Sequence, residues 1–505
     1  MENYTYYSFH TVSCILIEKK DRIRLIPCNE NDFNLLFEHT QDKDFEINYS
    51  EIFYNFNHAF IHSLVYGDNY IDLFPDYIFH SISPKICAME IRGPAVDDFF
   101  SPSTYFFYKS KKEGTNNIGN VVYNSDIADC WVFHYTEKNE RIIDIKISLY
   151  YGSILNRGIA SDLMLHPILK IEFEETESFS MIYDIYQAIK RFFNFILYRN
   201  DCGKFDIELF GRIEDRFSSV GCLTDNQLTN AKYEKQIGRI YYSDYKDFIP
   251  SIFQFIFNNP SLYLKHLPQH GTRDWEKDDI ELLLTQLFSA FESECHKREK
   301  LYEHADSSII KNIKEKLINS IDKVETDATV YTNDEIKFIS DAKQRINQLG
   351  TQFGQKAKII NAYKVLSASL EELIPDILFR KKEYQSTSKV SDEQINDIAK
   401  QLTHLRGAIV HGGEHQSLSP LDCQTIRFFE VLIYAQMLYR AELSLSDMKM
   451  ILSSSLLHHN DLFNRSWEKL EEKKNSHPES NYYPKVWYPK LQGIKQVYSL
   501  IFAGI

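Results

Sequence analysis

The chain of 505 residues is long enough for two or three domains, and its formal net charge of −14 excludes a protein that coats duplex nucleic acid with a basic surface. Its 43% apolar and 25% charged residues are a globular composition, and 14% aromatics, with 35 Phe and 32 Tyr, exclude extensive disorder. A local basic pocket stays open, because net charge does not fix local potential.

Eight cysteines lie at positions 14, 28, 87, 130, 202, 222, 295 and 423, and none forms a C-x-x-C pair, so zinc knuckles and dithiol redox motifs are not expected. The opening MENYTYYSFH has neither a basic n-region nor an apolar h-region, and no run approaches 18 apolar residues. The expectation is a cytoplasmic protein with reduced, buried thiols and no membrane partner.

Residues 1–240 are expected to form a β-rich domain. VSCILIEKK and RIRLIPC alternate and predict a hairpin turning at Lys20 and Asp21. KICAMEIRG, STYFFYKS, NVVYNS, DCWVFHYTEKNERIIDIKISLYYG and LKIEFEE follow as strands, the fourth with a turn near Lys138 to Glu140. From Ser178 to about Tyr198, Ile182, Ile185, Tyr186, Ile189, Phe192, Phe193 and Ile196 predict one long helix with a broad apolar face. KFDIELFGRI returns to a strand, whereas 214–245 has no firm period and reads as the domain boundary. The fold class is α+β or sandwich-like. The missing Gly-rich strand-to-helix loop argues against a nucleotide fold of Rossmann or P-loop type.

Residues 241–455 are expected to be an all-α bundle and 456–505 a short helical extension. Ile280, Leu283, Leu284, Leu287, Phe288, Phe291 and Cys295 mark one apolar stripe; Ile339, Ala342, Ile346, Leu349 and Phe353 a second; Tyr363, Leu366, Leu370, Leu373 and Ile377 a third, interrupted by Pro375. Phe429, Leu432, Ile433 and Met437 mark another. Between these lies SDEQINDIAKQLTHLRGAIVHGGEH, from Ser391 to His415. Ile395, Ile398, Ala399, Leu402, Leu405 and Ile409 give it one apolar face, Ser391 and Gln394 a capping box, and Gly412 and Gly413 a stop.

Arg406 and His411 sit near that stop. An Arg-x4-His spacing alone is expected roughly 0.6 times by chance in this composition, so the context carries the signal. Arg298 and His304 give a similar x5 spacing on a charged helix end without that context. Five residues turn a helix by about 140°, so the two side chains converge only if the helix end unwinds, which the glycines permit. A helix C-terminus favours a protonated imidazole, and the guanidinium fork suits a phosphate. The alternative is that Arg406 pairs with a surface acid and His411 caps carbonyls.

HLRGAIVHGG resembles the R-x4–6-H motif of HEPN domains, in its Apea-like branch, and LLLTQLFSAFESECHKR resembles that branch's first helix. A β-rich first half, an IYQAIKRFFNFIL helix and a C-terminal HEPN domain resemble ApeA-type anti-phage proteins of bacteria. The motif covers about ten residues, and Gly407 departs from the polar residue that often follows the Arg in active HEPN domains. The resemblance implies a cofactor-free, metal-independent endoribonuclease that acts as a homodimer on RNA such as tRNA, set off by a phage-derived trigger and causing abortive infection. It implies catalytic roles for Arg406 and His411. A non-catalytic HEPN scaffold with a ligand-sensing β-rich domain is the alternative. His404 and His415 flank the motif as candidate substrate-binding residues, and Glu292 and Glu294 as candidates to orient it; ordinary exposed polar positions are the other reading. His458, His459 and Asp461 lack a further ligand at zinc spacing. Glu90, Asp97 and Asp98 are read as a strand-end loop rather than a carboxylate site.

Overall fold

The computed structural model describes residues 4–19, 21–40, 45–49, 54, 56–101, 129–136, 142–154, 164–214, 216–226, 242–268, 280–297, 307–325, 332–348, 355–370, 391–410, 415–417, 420–452 and 485–487. The protein is mixed α+β, with a large antiparallel sheet in its N-terminal half and helices in its C-terminal half. It divides into two compact units, Met1–Gly271 and Thr272–Ile505.

In the first unit the elements are β1 (Tyr4–Phe9), β2 (Val12–Glu18), β3 (Ile23–Pro27), α1 (Phe33–His39), β4 (Phe45–Tyr49), β5 (Asn57–Tyr66), β6 (Ile71–Ser81), β7 (Ile86–Arg92), α2 (Pro94–Phe99), β8 (Asp129–Thr136), β9 (Ile142–Ile154), β10 (Met164–Thr176), α3 (Phe179–Ile196), β11 (Asp206–Ile213), β12 (Arg216–Asp225), α4 (Tyr242–Tyr245) and α5 (Ile249–Phe257). Twelve described strands join one antiparallel sheet in the order β1-β2-β3-β6-β12-β11-β7-β10-β9-β8, with β5 on β6 and β4 on β5. The hairpin of β2 and β3 closes where the alternation placed it, with Lys19 N–H donating to Arg22 O at 2.8 Å.

β6 joins the two parts of the sheet. Its first half pairs with β3, with Ile23 opposite Leu73, and its second half with β12, with Leu223 opposite Phe79. Pro75 falls where the β5–β6 register shifts, a place where its missing N–H breaks no ladder. Strands β1 to β6 enclose one core of Val12, Leu16, Leu25, Ile47, Ile61 and Leu73. The second core lies under α3. The Ser178 hydroxyl caps that helix by accepting from Met181 N–H at 3.3 Å, and Phe192 stacks on Phe253 of α5 at 3.6 Å. One ion pair crosses from β9 to β10, Lys146–Glu172 at 3.0 Å, while Lys170–Glu172 at 3.1 Å and Arg92–Glu90 at 2.7 Å each join residues two apart on the same strand.

Several expectations change. Within 214–245, β12 is a central strand. Its Ser and Gly content hides the alternation, and Gly221 is needed because a Cβ there would run into the His80 carbonyl. β4, β5 and β6 lie outside the strands expected from alternation. Asp97 and Asp98 belong to the short helix α2, not a loop; Asp97 faces His166 at 3.4 Å and Glu90 is held by Arg92. Of the eight free cysteines, Cys14, Cys202, Cys295 and Cys423 are buried, but Cys28 and Cys130 are exposed. The strands expected at STYFFYKS and NVVYNS lie outside the described residues.

The second unit contains α6 (Ile280–Lys297), α7 (Ser307–Glu325), α8 (Asn333–Gln348), α9 (Gln355–Leu370), α10 (Asp392–Val410), β13 (His415–Ser417), α11 (Pro420–Arg440) and β14 (Lys485–Trp487), with a further helical turn at 445–452. α11 is the central helix: Ile426, Phe429, Leu432, Ile433, Tyr434 and Met437 are all buried. α6, α9 and α10 pack against it, and Phe429 meets Phe288 and Phe291 at 4.9 and 5.0 Å. α7, which is not among the expected apolar stripes, pairs with α8 through Lys343–Asp322 at 2.5 Å. Ile339, Ala342 and Ile346 on α8 are only half-buried.

Candidate functional site

The site is built on α10. Ser391 begins it with the expected capping box: Ser391 N–H donates to Gln394 Oε1 at 2.8 Å, and Gln394 N–H to Ser391 Oγ at 3.2 Å. Ile395, Ala399, Leu402 and Leu405 are buried. Two polar links then fix α10 on α11. Gln401 Nε2 donates to Asp422 Oδ1 at 2.6 Å, and Thr425 Oγ1 to Gln401 Oε1 at 3.1 Å. Asp422 and Thr425 are buried, so sliding α10 would strand both groups without partners.

Those links place Arg406 against α6. Its Nη2 meets Glu292 Oε1 at 2.7 Å, and its guanidinium lies 5.6 Å from the Phe288 ring centroid. Phe288 and Glu292 are four residues apart and therefore share a helix face. The ring supplies a cation–π surface and the carboxylate a directional bond. Arg406 remains 40% and Glu292 41% exposed, so the pair orients the guanidinium more than it stabilises the fold. One carboxylate oxygen engages one of the five N–H donors of an Arg, which leaves donors for an anion.

The second acid has another role. Glu294 is buried and both its oxygens accept from Arg440 Nη1 at 2.6 Å, tying α6 to the end of α11. Arg427 and Glu430 form a second buried pair at 3.0 Å on α11. A Cβ at Gly407 would meet nothing within 4 Å, so the position next to Arg406 opens into free space. His404 is half-buried about one turn from Gln401, and the backbone of His415 lies opposite Trp487 in the β13–β14 pair.

His411, Gly412 and Gly413 lie outside the described residues, as do Arg298, His304, His458, His459 and Asp461. Sequence reading singled out Arg406 and Glu292 but not Phe288, which reads as one more core residue of an apolar stripe. Nor did it single out Gln401, Asp422 and Thr425, whose partners are visible only once two helices are packed. Among the described residues no group of three His, Cys, Asp or Glu is arranged to hold a metal, and no helix is long and apolar enough to cross a membrane.

The class defined by fold and site is an α+β protein whose helical unit presents an oriented, half-exposed arginine near the end of a helix. No family model matches the chain, no curated protein matches it, and no solved structure matches it.

Proposed function

We propose that the chain is a metal-independent endoribonuclease of HEPN type, in which Arg406 and His411 act on the phosphodiester of RNA. The observation that carries the reading is the seat of Arg406: a guanidinium held by Glu292 and Phe288 on a helix that runs into the motif histidine. RNA supplies its own nucleophile, the 2′-OH. The reaction removes that proton, forms the 2′-O–P bond, breaks the P–O5′ bond and returns a proton to the leaving 5′-oxygen. His411 takes or gives the proton, a role worth roughly 10²–10⁴-fold, and Arg406 holds the phosphate oxygens. A single histidine does not serve well as acid and base together, so a homodimer with two facing motifs completes the site. Its groove offers the local positive charge that an acidic chain otherwise lacks. The biological setting is anti-phage defence in the cytoplasm by abortive infection, with a structured RNA such as tRNA as substrate and the β-rich unit answering a phage-derived trigger.

The test is sequencing of RNA 5′ ends after induction of the wild type and of His411→Ala in cells, paired with RNA cleavage by both purified proteins. Cuts unique to the wild type, with the variant folded, are the expected result. Equal cleavage by the two proteins overturns the assignment.

A second reading, a non-catalytic HEPN scaffold, is favoured by the engagement of Arg406 with Glu292 and by the net charge. It expects no RNA cleavage from the wild type under any trigger, together with self-association that survives His411→Ala.

A further inference from the structure

α7 and α8 cover each other over only half their length. They pack on one another, whereas α6, α9, α10 and α11 pack among themselves. The half-buried apolar residues are Ile318 and Ile321 in the second half of α7, and Ile339, Ala342 and Ile346 in the second half of α8. The ion pair between Lys343 and Asp322 joins those same halves. In the first halves the apolar side chains lie open: Ile313 is 53%, Leu317 43% and Phe338 76% exposed. Ile313 and Leu317 are four residues apart and share one helix face. A short helical segment is marginal in water by itself, and packing of its apolar face is what holds it.

The two open segments are opposite in charge. The first half of α7, 307–317, carries Lys311, Lys314 and Lys316 against one acid, Glu315. The first half of α8, 333–338, carries Asp334 and Glu335 against one base, Lys337. Each segment therefore offers the other an apolar side chain to cover within a field of opposite sign. They do not cover each other within one chain, since Ile313, Leu317 and Phe338 are all exposed. Across a twofold axis they meet twice, because the same two surfaces then pair in both directions.

We propose that α7 and α8 form an interface with a second copy of this chain, in which the first half of α8 of each copy lies on the first half of α7 of the other. Phe338 then covers Ile313 and Leu317, while Asp334 and Glu335 face the lysines of α7. Stacking like segments on each other sets lysine against lysine, so the charges select the crossed arrangement. The proposal rests on these two helices alone. It is independent of the nuclease reading, whose facing motifs belong to the end of α10.

The experiment is analytical sedimentation of the full chain at micromolar concentration, with Phe338→Glu and Leu317→Glu as separate variants. The wild type is expected to self-associate, and each variant to weaken that association by about tenfold or more. If the α10 ends pair as well, the wild type is a tetramer and the variants are dimers, which supports the proposal equally. A second measurement fixes the arrangement and does not depend on the charged variants folding. Chains carrying Leu317→Cys are mixed with chains carrying Phe338→Cys and oxidised, and mass spectrometry is expected to find a disulfide between positions 317 and 338 of different chains. The proposal is overturned if the wild type is monomeric, which leaves the open segments to another segment of the chain or another protein. It is overturned equally if both variants associate like the wild type, or if no cross-link forms between these positions.

Discussion

Glu292 Oε1 lies 2.7 Å from Arg406 Nη2, joining α6 to α10 beside the ring of Phe288. The two residues are far apart in the chain, and the helix that carries Arg406 is tied to α11 through Gln401, Asp422 and Thr425. Under the nuclease reading, Glu292 is a positioning residue for Arg406. Glu292→Gln is expected to lower RNA cleavage by about tenfold, through lost orientation, while changing stability by less than about 1 kcal/mol, as for half-exposed ion pairs. Cleavage rates and urea midpoints separate the two effects. A rise in cleavage would make Glu292 a restraint instead.

Glu294, two residues on, makes the opposite prediction. Its carboxylate is 2% and Arg440 9% exposed, so removing one partner leaves a buried charge. Glu294→Ala is expected to cost about 3–5 kcal/mol. Replacing both residues with apolar ones of similar volume should recover much of that loss. Denaturant titration of the three variants measures it.

Two glycines respond in opposite directions. Gly407 is helical with open space around its Cα, so Gly407→Ala should stabilise the chain by about 0.5–1 kcal/mol through helix propensity. Gly221 packs against the His80 backbone, so Gly221→Ala should destabilise by about 1–3 kcal/mol through overpacking. Equal shifts in the unfolding midpoint would refute the contrast.

His58 sets a pH dependence. It is 4% exposed, stacks on Phe179 at 5.0 Å, and burial pushes its imidazole down to about 4. The unfolded imidazole titrates at about 6.5, so below that pH the unfolded chain takes up the proton first. The stability due to neutral His58 is therefore complete above about pH 6.5. It is lost as pH falls toward about 4, by up to about 3 kcal/mol. His58→Gln should flatten that part of the stability profile, as read from urea midpoints between pH 7 and pH 4.5.

The sequence by itself determined what depends on neighbours in the chain. The β2–β3 hairpin, the helix α3 with its apolar face and the capping box at Ser391 follow from periods of two or 3.6 residues and from hydrogen bonds that span three residues. Such signals need no knowledge of what lies across the core. The candidate motif was legible for the same reason, since Arg406 occupies a local pattern. Strand β12 was not legible, because Ser and Gly fill positions whose identity is set by the close approach of β6, and that approach appears in no local pattern. Tertiary structure alone decided that Glu292 serves Arg406 while Glu294 serves Arg440. Both acids lie on one helix turn and are alike in the sequence; packing gave one a half-exposed partner and the other a buried one.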